Sequence, residues 1–279
     1  MTILITGENG YIAKQLNQYI TNTERVSVRN LTEDQFTFFQ CKEVMIHTAA
    51  IVHKKETLES EATYFQVNTE LTYNLAVKAK EADVKQFIFL STMAVYGDVQ
   101  GAITTTTATK PVTFYGKSKL AAEERLLALQ DEDFKVAIVR PPMVYGPNCP
   151  GNYVMLSKLS QKVPLFPKVN NKRSMIFIDN LCEFVNQLIQ HEDSGIFHPQ
   201  DSQYITTSTM VKVIAKANGK AMYLSSFIGK LLKVFIGNKA IYQKVFGDLY
   251  YDKQLSSYRN NSYQKYNLEQ AIAITERAK

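Results

Sequence analysis

Apolar positions in the first 140 residues fall by turns into short unbroken runs and helical stripes. Thr2 to Thr6 is an apolar run ended by Gly7, as expected of a strand buried on both faces. Helical spacing follows through Leu16 and Ile20. Val26-Ser-Val28, Val44 to His47, Gln86 to Ser91 and Lys135 to Val139 repeat the strand pattern. Between them, Glu59 to Ala82 carries Leu71, Leu75, Ala79 and Ala82 on one stripe. Tyr115 to Leu129 carries positions 115, 119, 122, 126 and 129 on another. This alternation predicts an α/β fold built on a doubly wound parallel sheet. Ligands of such sheets bind beyond the carboxyl ends of the strands. Gly97 to Pro111 has no period and holds five threonines between 104 and 109, so it reads as a loop placed to close over a ligand. The prolines of Arg140-Pro-Pro-Met-Val-Tyr-Gly-Pro147 are expected to stop regular structure. Gly195 to Pro199 reads as a strand re-entering the sheet, and Thr206 or Thr207 as the cap of a helix from about Thr209 to Ala217.

The length, 279 residues, allows one large domain or two joined lobes. A net charge of +6 favours anionic ligands mildly and excludes a nucleic-acid footprint. That charge is uneven. Lys216 to Gly247 holds six lysines and no acid, interleaved with Leu231, Leu232, Val234, Phe235 and Ile236. This reads as the outer face of helices or as a weak membrane-surface contact. Cys41, Cys149 and Cys182 have no metal-ligand spacing and are expected as free thiols. No run reaches the ~20 apolar residues that span a bilayer. The chain starts directly on strand pattern, so a cytoplasmic location is expected.

The candidate chemistry lies at the strand ends. Thr6-Gly-Glu-Asn-Gly-Tyr-Ile-Ala13 is a glycine turn between strand and helix. Gly7 permits the tight turn, Gly10 lets backbone approach a pyrophosphate, and Ala13 keeps the helix close. The helix N-terminus then faces the phosphates. Arg29 ends the next strand, where an acid would hold ribose hydroxyls and an arginine accommodates a 2′-phosphate. It leans towards NADP; the alternative is NAD, with Asn30 serving the ribose. Thr48-Ala-Ala50 supplies small residues against which a cofactor can lie. His47 and His53 read as local hydrogen-bonding residues. Ser91 and Thr92 place hydroxyls at a strand's carboxyl end. Tyr115 and Lys119 stand four residues apart, on one helical face. A cation about 4 Å from the phenol, at an effective dielectric of about 20, would lower its pKa by about 3 units. That is the range in which acid–base catalysis works best.

Four segments occur in one order: Thr-Gly-x-x-Gly-x-x-Ala, Leu90-Ser-Thr-Met-Ala-Val-Tyr-Gly97, Tyr115-Gly-Lys-Ser-Lys119 and Val139-Arg-Pro-Pro-x-Val-Tyr-Gly-Pro147. Together they closely resemble the extended short-chain dehydrogenase/reductases, the NAD-dependent epimerase/dehydratase family. The resemblance implies a Rossmann-like dinucleotide-binding domain, 1–147 plus about 175–198, and a substrate-binding lobe, about 148–174 plus 199–279. It implies Thr92, Tyr115 and Lys119 as catalytic residues. The cofactor would meet Gly7, Asn9, Gly10, Tyr11, Ile12, Arg29, Ala49, Ala50, Asn68, Ser91, Tyr115, Lys119 and Pro142. A nucleoside diphosphate sugar would meet Thr92, Met93, Tyr115, Asn152 and Arg173. Asn152 follows Gly151 as in nucleotide-sugar epimerases, and Arg173 begins a segment whose arginine clamps the diphosphate, a geometry suited to its fork. No metal is implied, and a homodimer through 59–82 and 115–129 is.

Ile46-His-Thr-Ala-Ala50, Cys149-Pro-Gly-Asn152 and His198-Pro-Gln-Asp-Ser202 narrow the likeness to a bacterial subgroup of capsular and O-antigen synthesis. Enzymes of that subgroup reduce a UDP-4-keto-6-deoxy-N-acetylhexosamine or are described simply as sugar epimerases. The expected activity is therefore stereospecific 4-ketoreduction. A UDP-sugar 4-epimerase with bound NAD is the alternative, and a catalytically silent nucleotide sensor a third reading. Met93-Ala94 replaces the Asp-Glu pair of the dehydratases. The chain also lacks the family's Gly-Trp-x-Pro element between Ser256 and Asn267, and it has no tryptophan at all.

Overall fold

Ile3–Thr6, buried at every position, forms β1 in the computed structural model, which describes residues 1–29, 38–52 and 57–278. Asn30 and His53 lie outside the described residues. After β1 come α1 (Tyr11–Tyr19), β2 (Thr23–Val26) and β3 (Val44–His47). α2 (Leu58–Phe65) passes through a π-helical turn at Gln66–Glu70 into α3 (Leu71–Glu81). Next are β4 (Gln86–Leu90), a 3-10 turn at Met93–Tyr96, β5 (Gly101–Ile103), α4 (Phe114–Leu129), β6 (Lys135–Val139) and β7 (Met143–Tyr145). α5 (Asn152–Lys162), β8 (Leu165–Pro167), β9 (Met175–Phe177), α6 (Ile178–Gln190) and β10 (Gly195–Phe197) follow. The chain ends with α7 (Thr207–Ala217), β11 (Tyr223–Ser225), α8 (Ser226–Ile236), α9 (Ala240–Phe246), β12 (Leu249–Tyr251) and α10 (Leu268–Arg277).

The chain forms two compact units. The first comprises Met1–Asp98, Thr107–Pro141 and Leu181–Pro199. Among the described residues its sheet has six parallel strands in the order β10-β6-β4-β3-β1-β2, a Rossmann-like arrangement. Strand order reverses at β1, flanked by β2 and β3. That is the switch point at which such sheets bind ligands. One face of the sheet is sealed by Leu75, Ala79, Ala122 and Leu126 of α3 and α4 against Phe87, Phe89, Val136 and Ile138.

The second unit comprises Val99–Thr106, Pro142–Asn180 and Gln200–Lys279. It holds three short parallel pairs, β12 with β5, β7 with β9 and β11 with β8. Its buried centre includes a carboxylate. Asp201 accepts from the Tyr145 hydroxyl (2.9 Å), Asn180 Nδ2 (2.8 Å) and the Phe177 amide (3.1 Å). Burial nevertheless pushes Asp201 up to about 6.

Four sequence expectations need correction. β2 runs over Thr23–Val26 rather than 26–28, because its partner β1 ends at Thr6. Once Gly7 turns away, its amide takes the Val26 carbonyl (3.1 Å) and the ladder has no further edge. The helix of 59–82 is interrupted by the π turn. The loop of 97–111 contains β5, and the proline-rich stretch contains β7. Both strands exist through partners far along the chain, β12 and β9, which no local window reveals. Residues 143–145 also fall between the prolines, so their amides are free to pair. Thr206 caps α7, accepting from the Thr209 amide (2.8 Å), and β10 rejoins the sheet beside β6.

Candidate active site

Gly7 sits at φ +90°, and a Cβ there would stand 2.7 Å from Thr48 Oγ1 and 3.1 Å from the Ala49 amide. Only glycine lets β1 turn so close to the end of β3. Thr48 locks that approach by donating to the Thr6 carbonyl (2.7 Å). Gly10 then caps α1 with no side-chain hydrogen bond. The first amides of a helix lack intrahelical partners and carry partial positive charge. The cradle has bare backbone at Gly7, small Ala49 and Ala50 beside it, and an uncapped helix end at Tyr11 and Ile12. It fits a dinucleotide pyrophosphate. Exposed Asn9 stands in the same turn. Arg25, which sequence reasoning did not single out, donates from its guanidinium to the Glu8 carbonyl (2.6 Å) and brings a cation to the turn. Arg29 is exposed beyond β2.

The second cluster forms where β4 ends. Thr92 caps the 3-10 turn, accepting from the Ala94 amide (3.1 Å), and its hydroxyl also hydrogen-bonds the Tyr115 phenol. α4 starts opposite, capped by Thr113 on the Gly116 amide (3.0 Å). A Cβ on Gly116 would lie 2.8 Å from the Ala94 carbonyl and 3.0 Å from Pro111 Cβ. The glycine after Tyr115 is therefore what lets α4 approach the Thr92 turn. One helical turn on, Lys119 is 1% exposed, its ammonium 3.8 Å from the centre of the Phe89 ring.

The electrostatics depart from the sequence expectation. Burial pushes the Tyr115 phenol up to about 12, the Thr92 hydrogen bond pulls it back in part, and nearby Tyr64 adds to the rise. Lys119 is not among the groups that set it. Burial also pulls Lys119 down to about 7, against the attraction of Glu123. A lysine only partly charged at neutral pH is a weak tuner, so desolvation outweighs the Coulomb gain. His47 is fully buried, pushed down to about 3 by burial and by Lys119. Its ring nitrogens bond Thr6 Oγ1 (2.7 Å) and Thr72 Oγ1 (2.9 Å), so it is a neutral structural link.

Behind Lys119 lies a buried polar chain that sequence reasoning missed. Glu123 accepts a short hydrogen bond from Ser91 and pairs with Arg140 (2.5 Å). Arg140 also donates to the Tyr96 hydroxyl (2.8 Å), which bonds His198 Nε2 (2.7 Å). These residues stand at the ends of β4, β6 and β10 and on α4. The available signal was Glu123 placed i+4 from Lys119, with an arginine just past an apolar strand.

The remaining expected residues are distributed as follows. Ser91 gives its hydroxyl to Glu123, and Asn68 bonds the Ile51 amide (2.8 Å), the Ile51 carbonyl (3.1 Å) and Ser118 (3.0 Å). Both side chains thus tie together the backbone and helix that frame the site. Met93 is buried, its amide on the Pro141 carbonyl (3.1 Å). Pro142, Asn152 and Arg173 belong to the second unit. Asn152 is the exposed first residue of α5, and Arg173 donates to the Lys244 and Gly247 carbonyls (both 3.1 Å).

Among the described residues no His, Cys, Asp or Glu group could hold a metal ion, and no helix is long and apolar enough to cross a membrane. The chain is 30% identical over 285 aligned residues to a UDP-glucose 4-epimerase of Vibrio cholerae, an alignment covering 90% of this chain and 87% of that one. It is 23% identical to the N-acetyl-alpha-D-glucosaminyl-diphospho-ditrans,octacis-undecaprenol 4-epimerase of Escherichia coli O157:H7, over 82% of this chain and 77% of the other. Among solved structures, UDP-glucuronic acid 4-epimerase from Bacillus cereus in complex with NAD shares the fold at a TM-score of 0.77 and 18% identity, covering 100% of this chain and 96% of that one. The profile of the NAD dependent epimerase/dehydratase family matches residues 3–198, which hold the glycine turn and all three of Thr92, Tyr115 and Lys119; the chain belongs to that family.

Proposed function

We propose that the protein moves hydride at C4 of a UDP-sugar, most directly as a 4-ketoreductase acting on a UDP-4-keto-6-deoxy-N-acetylhexosamine. The observation carrying this reading is the Thr92–Tyr115 hydrogen bond beside buried Lys119. The glycine turn and Arg25 hold the dinucleotide's phosphates. When bound, the nicotinamide supplies the hydride. A phenol held near 12 enters the reaction protonated, which suits delivery of its proton to a ketone oxygen. Thr92 then donates to the phenolate that remains. Asn152 and Arg173 hold the diphosphate, so that binding energy far from the reacting carbon orients it. Arg29 and Arg25 favour NADPH as the hydride source. The place of the reaction is surface-polysaccharide synthesis, and the assembly is a homodimer.

A second reading rests on the Vibrio cholerae relative: a 4-epimerase retaining NAD and returning the hydride to the opposite face. The purified protein separates the two. A reductase consumes NADPH stoichiometrically with the 4-keto sugar. An epimerase carries NAD through purification and interconverts UDP-sugars with no net cofactor change. Tyr115→Phe is expected to lower turnover by about 10²–10⁴-fold in either case. Unchanged turnover would remove Tyr115 from the role of proton donor, and absence of turnover in the wild type would point instead to the nucleotide-sensor reading. Arg173→Lys keeps the charge but loses the fork, and is expected to raise KM with kcat little changed.

A further inference from the structure

α8 presents an apolar face to solvent. Phe227 (74% exposed), Leu231 (46%), Val234 (80%) and Phe235 (71%) recur at i, i+4, i+7 and i+8 and so form one stripe. Lys230 and Lys233 flank it on one side. The opposite side holds the helix to its unit. A Cβ on Gly229 would stand 2.2 Å from the Lys168 carbonyl, so α8 lies directly on backbone just past β8. The neighbouring strand pair adds exposed Tyr223 opposite exposed Leu165. Water-facing aromatic and aliphatic side chains on a fixed helix mark an interaction surface.

Charge identifies the partner. Between Asp201 and Asp248 stand seven lysines and no acid. A second copy docked through the same face would bring two such lysine-rich, acid-free segments together, with no opposite charge from this segment to offset them. An anionic bilayer supplies the opposite sign, and it accepts apolar side chains below its headgroups while lysines stay at their level. We propose that the α8 face docks the protein on an anionic membrane surface, with Phe227, Leu231, Val234 and Phe235 in the headgroup–acyl boundary and Lys230 and Lys233 among the headgroups. The docking face does not depend on which sugar is reduced or epimerised.

The absence of tryptophan makes the test direct. Phe227→Trp gives a single indole reporter on the proposed face. Its emission should shift to the blue on adding vesicles of equimolar phosphatidylglycerol and phosphatidylcholine, and stay unshifted with phosphatidylcholine alone. In co-sedimentation, Phe227→Asp combined with Val234→Asp should reduce binding of the full chain to background, with turnover of a soluble UDP-sugar retained. Lys230→Gln and Lys233→Gln should each weaken binding about five-fold, and added salt should do the same. Absent blue shift, undiminished binding of the aspartate variant, or equal binding to the neutral vesicles would overturn the proposal. So would a wild-type dimer that the aspartate variant dissociates, since a second copy would then be the occupant.

Discussion

At the residue scale, the site sets desolvation against charge. Lys119 has a folded-state pKa near 7, below the 10.5 of an exposed lysine. The cost of its buried ammonium is present in full below about 7 and fades as pH rises towards 10.5. Native stability should therefore climb with pH across that window. Lys119→Met should remove the climb and stabilise the protein at pH 7 by on the order of a few kcal/mol, while abolishing turnover. Thermal melts of both proteins between pH 6 and 10 give the comparison. Thr92 acts in the other direction on Tyr115, because its hydrogen bond favours the phenolate. Thr92→Val should cut kcat about 10–100-fold and move the basic limb of the pH–rate profile upward.

At the element scale, two glycines separate cofactor binding from chemistry. Gly7→Ala combines a positive φ with a Cβ 2.7 Å from Thr48 Oγ1. It should cost about 1–3 kcal/mol of stability and weaken dinucleotide binding. Gly116→Ala pushes α4 off the Ala94 carbonyl, so it should lower kcat with cofactor affinity retained. Dinucleotide titration alongside steady-state kinetics distinguishes the two. The strand ends around them are tied by Glu123 and Arg140, whose pair is buried on both sides. Arg140→Met leaves Glu123 as an uncompensated buried charge and should cost about 3–5 kcal/mol in denaturant unfolding.

At the scale of the whole molecule, the native chain carries a ready-made phosphate cradle that the unfolded chain lacks. A dinucleotide that binds only the native state should stabilise it by about 2.7 kcal/mol at a hundredfold excess over Kd. Comparing the thermal shifts given by NADP and NAD at matched concentrations then ranks the cofactors, and the larger shift with NADP is the outcome expected from Arg29 and Arg25. The whole molecule is also where charge matters most. A net +6 becomes useful only because the lysines between Asp201 and Asp248 gather in one unit, two of them, Lys230 and Lys233, on α8 beside its exposed face.

Much of the fold was legible in the sequence, because its signals are local. A buried parallel strand must be apolar throughout, a glycine turn must carry Gly7, and residues four apart must share a helical face. Thus β1, β3, β4, β6 and the helix bearing Tyr115 and Lys119 follow from short windows. Tertiary structure decided whatever depends on partners distant in the chain. β5 and β7 exist only because β12 and β9 pair with them. Glu123 and Arg140 meet only once α4 packs on the sheet. The pKa of Tyr115 depended on burial, which spacing does not encode. Spacing brought Lys119 to the right face, but the packing that buries both groups took away part of the charge with which it was expected to act.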